Sequence, residues 1–358
     1  MKPTQQLHDL GQSLWLDNIT RTMLGDGTLA GYIDELSVTG LTSNPTIFDK
    51  AISGGDAYDE QIIEEAPTAD STEELFFRLA IADLRDAADL FAGVHQRTAG
   101  VDGFCSLEVS PLLADGTAET IEQAAELHSR AARDNIYIKI PGTQAGLPAI
   151  EESIFAGIPI NVTLLFDTEQ YLAAADAYLK GIERRIEAGL DPNVPSVASL
   201  FISRWDVAVS DEAPVELRNR LGMAVGFHAY RAYRELLDSN RMQRLMNEGA
   251  RPQRLLWAST GTKDPDASDT LYIEGFASPF TVNTMPEPTL HAFADHGRIG
   301  DLVPADGGDC DALLAQFESA GIGVRALAAR LQEEGKKAFS DSWADMLDSI
   351  ETEREQVA

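Results

Sequence analysis

A (β/α)8 barrel is the fold this chain predicts, on two observations. Short apolar runs alternate with longer segments of helical period, the order of a parallel sheet with crossover helices rather than of a sandwich. Eight such runs occur, the number that closes a barrel. A doubly wound sheet of the dinucleotide-binding kind is the competitor, but no Gly-x-Gly-x-x-Gly follows any of the runs.

The expected strands are 14–18, 38–44, 105–110, 136–140, 160–164, 197–202, 255–260 and 272–276. The first sets Leu14 and Leu16 against Trp15 and Asp17, and the second sets Leu41 against Thr42 and Asn44. In the third, Leu107 and Val109 oppose Ser106, Glu108 and Ser110; in the fourth, Ile136, Ile138 and Ile140 oppose Tyr137 and Lys139, closed by Pro141-Gly142-Thr143. The fifth divides Val162 and Leu164 from Asn161 and Thr163, and the sixth Leu200 and Ile202 from Ser199 and Phe201. The last two are read from apolar content alone. Helical segments are expected at 73–95, 118–133, 168–188 and 214–247. A barrel of this kind takes about 250 residues, so a single barrel domain over 1–358 leaves room for additions at 53–70 and for C-terminal helices over 312–353. Phe339, Trp343, Met346, Leu347 and Ile350 fall at helical spacing, so the tail is expected to pack on the barrel.

With 44% apolar and 24% charged residues the composition is globular, and the formal charge is −30. Nucleic acid and anionic membrane would both be repelled, which excludes them as general partners. An anionic substrate would need a local basic pocket. The two cysteines, Cys105 and Cys310, suggest neither a disulfide framework nor a metal motif, and the N-terminus shows no apolar signal core, so a cytoplasmic protein is expected. None of the six histidines shows a His-x-x-x-His spacing, and His291 and His296 are read as surface residues. Asn161-Val162-Thr163 matches a glycosylation pattern only formally, because it lies in an expected buried strand.

Lys139 is the residue that asks for an explanation. A free lysine titrates near pH ~10.4, so about one amine in 2500 is neutral and nucleophilic at pH 7. Burial disfavours an ammonium, which is the preparation a Schiff-base lysine needs. An edge-strand lysine, or one paired with a buried carboxylate, explains the local sequence equally well. The other strands decide. If their apolar sets face the helices, Asp17, Asn44, Glu108, Lys139, Asn161, Thr163 and Ser199 all point into the barrel. So many buried polar groups on one axis are costly without a purpose. Asp17 and Glu108 would also attract the ammonium and so oppose the effect of desolvation.

Six motifs stand in order: 39-TGLTSNPTIF-48, 106-SLEVS-110, 136-IYIKIPGT-143, 160-INVTLLF-166, 198-ASLFISR-204 and 257-WASTGTK-263. On these the chain resembles the transaldolases over nearly its whole length, in their longer bacterial branch. The resemblance implies a class I mechanism moving a dihydroxyacetone unit between sugar phosphates: sedoheptulose 7-phosphate and glyceraldehyde 3-phosphate give erythrose 4-phosphate and fructose 6-phosphate, in the non-oxidative pentose phosphate pathway. It implies Lys139 as nucleophile, Glu108 as proton carrier through a water held by Thr163, and Asp17 as the base for carbon–carbon cleavage. Asn44 and Asn161 would hold the fragment, with Thr42 supporting them. The iminium serves as the electron sink, so neither metal nor cofactor is implied.

Ser199 and Arg204 match the family's phosphate contacts. Where relatives carry an arginine two residues after the serine aligned with Ser259, this chain has Gly261, and Lys263 stands two further on. Lys263 is expected to provide the second positive charge; a solvated loop lysine is the alternative. A fructose-6-phosphate aldolase is the nearest rival activity, and a non-catalytic sugar-phosphate-binding barrel a more distant one. Glu108 and the hydroxyl-free Phe201 favour transfer. The protein is expected as a monomer or homodimer.

Overall fold

The computed structural model describes residues 1–357. Its strands are β1 Ser13–Asp17, β2 Val38–Thr42, β3 Cys105–Glu108, β4 Ile136–Pro141, β5 Ile160–Leu165, β6 Ser196–Phe201, β7 Arg254–Ala258 and β8 Val282–Met285. They pair in parallel in the order β2-β1-β8-β7-β6-β5-β4-β3, with helices in the connections, and form a nearly closed (β/α)8 barrel. The seam between β2 and β3 is bridged where Leu41 N–H donates to Phe104 O at 2.9 Å and Gly103 N–H donates to Thr39 O at 2.9 Å. Gly40 permits that closure, since a Cβ there would lie 2.6 Å from both Phe104 O and Trp15 Nε1.

The alternation read from sequence separates two bodies of core. Leu14, Leu16, Ile136, Ile138, Ile140, Leu200, Leu255 and Trp257 join the cluster between sheet and helices. Trp15, Tyr137, Val197, Phe201, Leu256, Ala258 and Val282 belong to the inner cluster. Leu164 departs from the expectation. It takes a left-handed φ of 58° at the β5 irregularity and joins the inner cluster, with Leu165 in the helix-facing cluster.

Three element assignments are corrected. Residues 272–276 are not a strand: Leu271–Gly275 is a short helix that buries Tyr272 and Ile273, and a short apolar run has no period that distinguishes the two states. The eighth strand is Val282–Met285, whose Asn283 and Thr284 conceal it from a search for apolar runs. The segment 214–247 is broken into Val215–Leu217, Leu221–Asp238 and Asn240–Asn247; Ser239 is extended and its hydroxyl accepts Met242 N–H, which starts a new helix.

The addition at 53–70 contains the helix Asp59–Glu65, and the tail forms helices Cys310–Ser319 and Val324–Val357. The last packs as expected, with Trp343, Met346 and Ile350 buried and Thr46 Oγ1 donating to Ser342 Oγ at 2.8 Å. No helix among the described residues is long and apolar enough to cross a membrane.

Candidate active site

Strand register assembles the site. Glu108 of β3 stands beside Lys139 of β4, which stands beside Asn161 of β5; across the β2–β3 seam Asp17 of β1 stands beside Thr42 of β2. Asp17, Thr42 and Glu108 end their strands and Lys139 lies in the carboxyl half of β4, where a barrel's chemistry lies, whereas Asn161 is the second residue of β5.

Lys139 is 5% exposed, and its Nζ donates to Glu108 Oε2 at 3.0 Å and to Ser43 O at 2.9 Å. The Phe339 ring, from the C-terminal helix, lies 5.8 Å from Nζ. Burial pushes the Glu108 carboxyl above its usual range, while the ammonium pulls it back. Asp17 is raised by burial too, against the charge of Lys139, the Thr42 hydroxyl and the charge of Lys263. Thr42 Oγ1 donates to Asp17 Oδ1 at 2.8 Å and lies 2.6 Å from Thr284 Oγ1.

Above these groups lies a cavity of about 320 Å³. Asp17, Thr42, Asn44, Lys139, Thr163, Ser199, Phe201, Arg204, Ser259 and Lys263 line it. Glu108 and Asn161 do not: Glu108 is packed behind Lys139, and Asn161 is fully buried with both ends of its amide in use. Its Nδ2 donates to Ser106 Oγ at 3.1 Å and its Oδ1 accepts from Ser199 Oγ at 2.7 Å. Two buried oxygens, Glu108 Oε1 and Thr163 Oγ1, have no hydrogen-bond partner in the protein.

Asn44 reaches the cavity from beyond β2 rather than from within it. It is the N-cap of Pro45–Ser53, and its Oδ1 accepts Ile47 N–H at 3.1 Å, which leaves the amide NH2 free to donate. Ser259 sits at φ 55° just after β7, and its hydroxyl lies 2.9 Å from Ser203 Oγ. Arg204 and exposed Lys263 place two cations on the wall; burial pulls the Arg204 guanidinium down. His291 and His296 are exposed, as expected.

Sequence reading missed Thr284, which came with the misplaced eighth strand, and the helix residues Lys50 and Ser342 on the cavity wall. In the sequence, Phe339 carries a packing signal alone.

A lysine buried against a carboxylate in such a barrel is the arrangement a class I aldolase needs, and the chain belongs to that superfamily. The particular family is given by comparison. Residues 14–350 match Transaldolase/Fructose-6-phosphate aldolase, and the chain belongs to that family. It is 45% identical to a transaldolase of Thermobifida fusca over 97% of both chains. It is 43% identical to transaldolase 2 of Streptomyces coelicolor over 99% of this chain and 98% of the relative. A transaldolase of Mycobacterium bovis is 44% identical over 94% of this chain and 93% of its own. These relatives put the chain on the transaldolase side of the family, as an enzyme of the transferase class.

Proposed function

We propose that Lys139 carries a dihydroxyacetone unit from a ketose phosphate to an aldose phosphate, sedoheptulose 7-phosphate and glyceraldehyde 3-phosphate giving erythrose 4-phosphate and fructose 6-phosphate. The observation that carries this reading is the Lys139–Glu108 contact of 3.0 Å beneath the cavity. An ammonium must lose a proton before it can attack a carbonyl, and Glu108, raised by burial, is the acceptor within reach. The freed amine adds to the donor ketone. Loss of water from the carbinolamine follows, with Glu108 returning the proton through a water between its Oε1 and Thr163 Oγ1.

Asp17 then takes the proton of the hydroxyl one carbon beyond the breaking bond. The carbon–carbon electron pair moves into the iminium, the first aldose phosphate leaves, and an enamine remains on Lys139. The acceptor aldehyde adds to the enamine by the reverse path, and hydrolysis frees the lysine. Asn44 and Ser199 hold hydroxyls of the fragment, while Asn161 acts by fixing Ser199 and Ser106. Arg204 and Lys263 receive the phosphate; the guanidinium offers a fork and the ammonium a point charge. Phe201 and Phe339, with ring centroids 6.4 Å apart, give the enamine an apolar wall without hydroxyls that could protonate it.

In this reading the whole chain is one catalytic domain, its C-terminal helix supplying part of the wall. It acts as a monomer or homodimer in the cytoplasm and needs no metal or cofactor. The buried free cysteines Cys105 and Cys310 support the compartment.

Borohydride reduction of the protein with fructose 6-phosphate, followed by peptide mass analysis, tests the mechanism. A three-carbon adduct on Lys139 is expected; an adduct on another lysine, or none, overturns it. Release of free dihydroxyacetone as fast as transfer to erythrose 4-phosphate would instead assign the aldolase activity.

A further inference from the structure

A second cavity, of about 880 Å³, lies at the opposite mouth of the barrel. Ser13, Ser196 and Arg254, the first residues of β1, β6 and β7, reach it, and so does Tyr137 from the inner face of β4. Its volume suits a small organic molecule. Phe280 gives it an exposed aromatic surface; Tyr137 and Tyr233 also line it, but are only 2% and 1% exposed. Phe280 is 65% exposed and is held at φ 62°, a left-handed conformation that a bulky residue rarely adopts, with its carbonyl fixed by the Tyr233 hydroxyl at 2.8 Å.

The charges around this cavity are unusual for the chain. Acidic residues outnumber basic ones 58 to 28, and Arg231 and Arg241, close in sequence to the cavity-lining Arg234, are ion-paired. Arg234, Arg251 and Arg254 all line the cavity, and none forms an ion pair among the described residues. Their partners are neutral: Arg254 donates to Ser13 Oγ and Thr281 O, Arg251 to Ala99 O, and Arg234 to the Tyr230 hydroxyl. Two further donors, Arg234 Nε and Arg251 Nη1, are buried without an acceptor, a state that favours turning the half-buried guanidiniums toward any anion that arrives. The acids on the wall are Asp102, already held by Ser13, Trp15 Nε1 and Gly103 N–H, and Asp238, whose charge acts on Arg234. Three guanidiniums against two carboxylates leave one positive charge.

We propose that this cavity is a binding site for a small aromatic carboxylate, its ring against Phe280 and its carboxylate against Arg234 and Arg251. A monoanion matches the single excess charge. A planar two-oxygen group matches the guanidinium fork, and the exposed Phe280 ring suits an aromatic ligand better than a bare inorganic ion.

Calorimetric titration of the full chain with 1-naphthoate tests this. One saturable site per chain is expected, with Kd on the order of 0.1 mM. Arg251→Ala and Arg234→Ala should each weaken binding at least ~10-fold, uncharged 1-naphthamide should bind at least ~10-fold more weakly, and Lys263→Ala, in the other cavity, should change nothing. The proposal is overturned if naphthamide binds as well, if both arginine variants bind normally, if Lys263→Ala abolishes the heat, or if inorganic phosphate displaces naphthoate at equal concentration. It is overturned equally if no heat appears up to about 5 mM, whether light scattering finds the protein monomeric or dimeric. Should an arginine variant fail to fold, crystals of the unaltered protein soaked in 4-bromobenzoate decide: bromine in this cavity supports the site, and bromine only elsewhere overturns it.

Discussion

Lys139 and Tyr137 share one face of one strand, two residues apart, and are equally hidden from solvent, 5% and 2% exposed. Toward the carboxyl end, the neighbouring strand sets Glu108 against the ammonium, and the Ser43 carbonyl takes a second donor bond. Toward the amino end, the same neighbour offers Ser106 opposite Tyr137, while the phenol ring stacks on Phe104 at 4.2 Å and lies 6.0 Å from Trp15. Burial alone therefore does not make a residue reactive. It raises the energy of every charge at both ends, and what the adjacent strands place alongside decides whether that energy is used for proton transfer or only for packing.

The largest expected effect sharpens this division. Lys139→Met should lower transfer by at least ~10⁴-fold and abolish borohydride trapping, since the other lysines on the cavity wall, Lys50 and Lys263, are exposed to solvent and lack the burial that disfavours an ammonium. It also leaves Glu108 buried without its partner, a loss that proton uptake by the raised carboxyl limits to about 3 kcal/mol or less. Denaturant unfolding of Lys139→Met beside Lys139→Met/Glu108→Gln would detect it; equal stabilities would mean that the pair matters only to chemistry.

At the lower end the balance should invert. Asn135, just before β4, donates through Nδ2 to Ala88 O and Gly103 O, both at 2.8 Å. Asn135→Ala strands two carbonyls and should cost about 1–3 kcal/mol in unfolding free energy, while kcat stays within about twofold. A large fall in kcat with unaltered stability would break the comparison.

Smaller again is Lys263→Ala, for which KM for phosphorylated donors should rise about 10-fold and KM for unphosphorylated analogues should not. Equal changes would remove Lys263 from phosphate binding.

The smallest expected effect is thermodynamic. Burial holds Asp17 above its ordinary range, so the folded state binds its proton more tightly than the unfolded chain does. Ionised Asp17 accordingly costs stability at neutral pH, and the cost shrinks as pH falls from the raised value toward the ordinary carboxyl range, below which it is gone. Asp17→Asn, which keeps an oxygen for Thr42, should raise Tm at pH 7 by roughly 2 °C, lose that advantage in acid, and transfer poorly throughout. Melting curves across pH check the sign.

Much of the site was legible because a strand's period is short and strict. Lys139, Asp17, Thr163 and Ser199 were assigned to the inner face by alternation alone, and all four line the cavity. Asn44 lies not in β2 but at the start of a helix, and Asn44-Pro45 carries the signal for it, an N-cap residue followed by proline at the first helical position. Thr284 was lost because Val282–Met285 is short and half polar. No local signal marks the turn of Leu164 into the left-handed region, which redirects that side chain inward.

The amino-acid sequence by itself determined the alternation of elements, the polar face of each long strand and the place of Lys139 on one of them, since these follow from covalent geometry that repeats every two residues. Only the tertiary structure decided that Glu108 stands beside Lys139, that Asn161 is spent on its neighbours, that Phe339 reaches over the ammonium, and that three arginines meet at the far mouth. Those pairings join residues tens to hundreds of positions apart. Their register is set by helix packing and barrel closure, which no local period encodes.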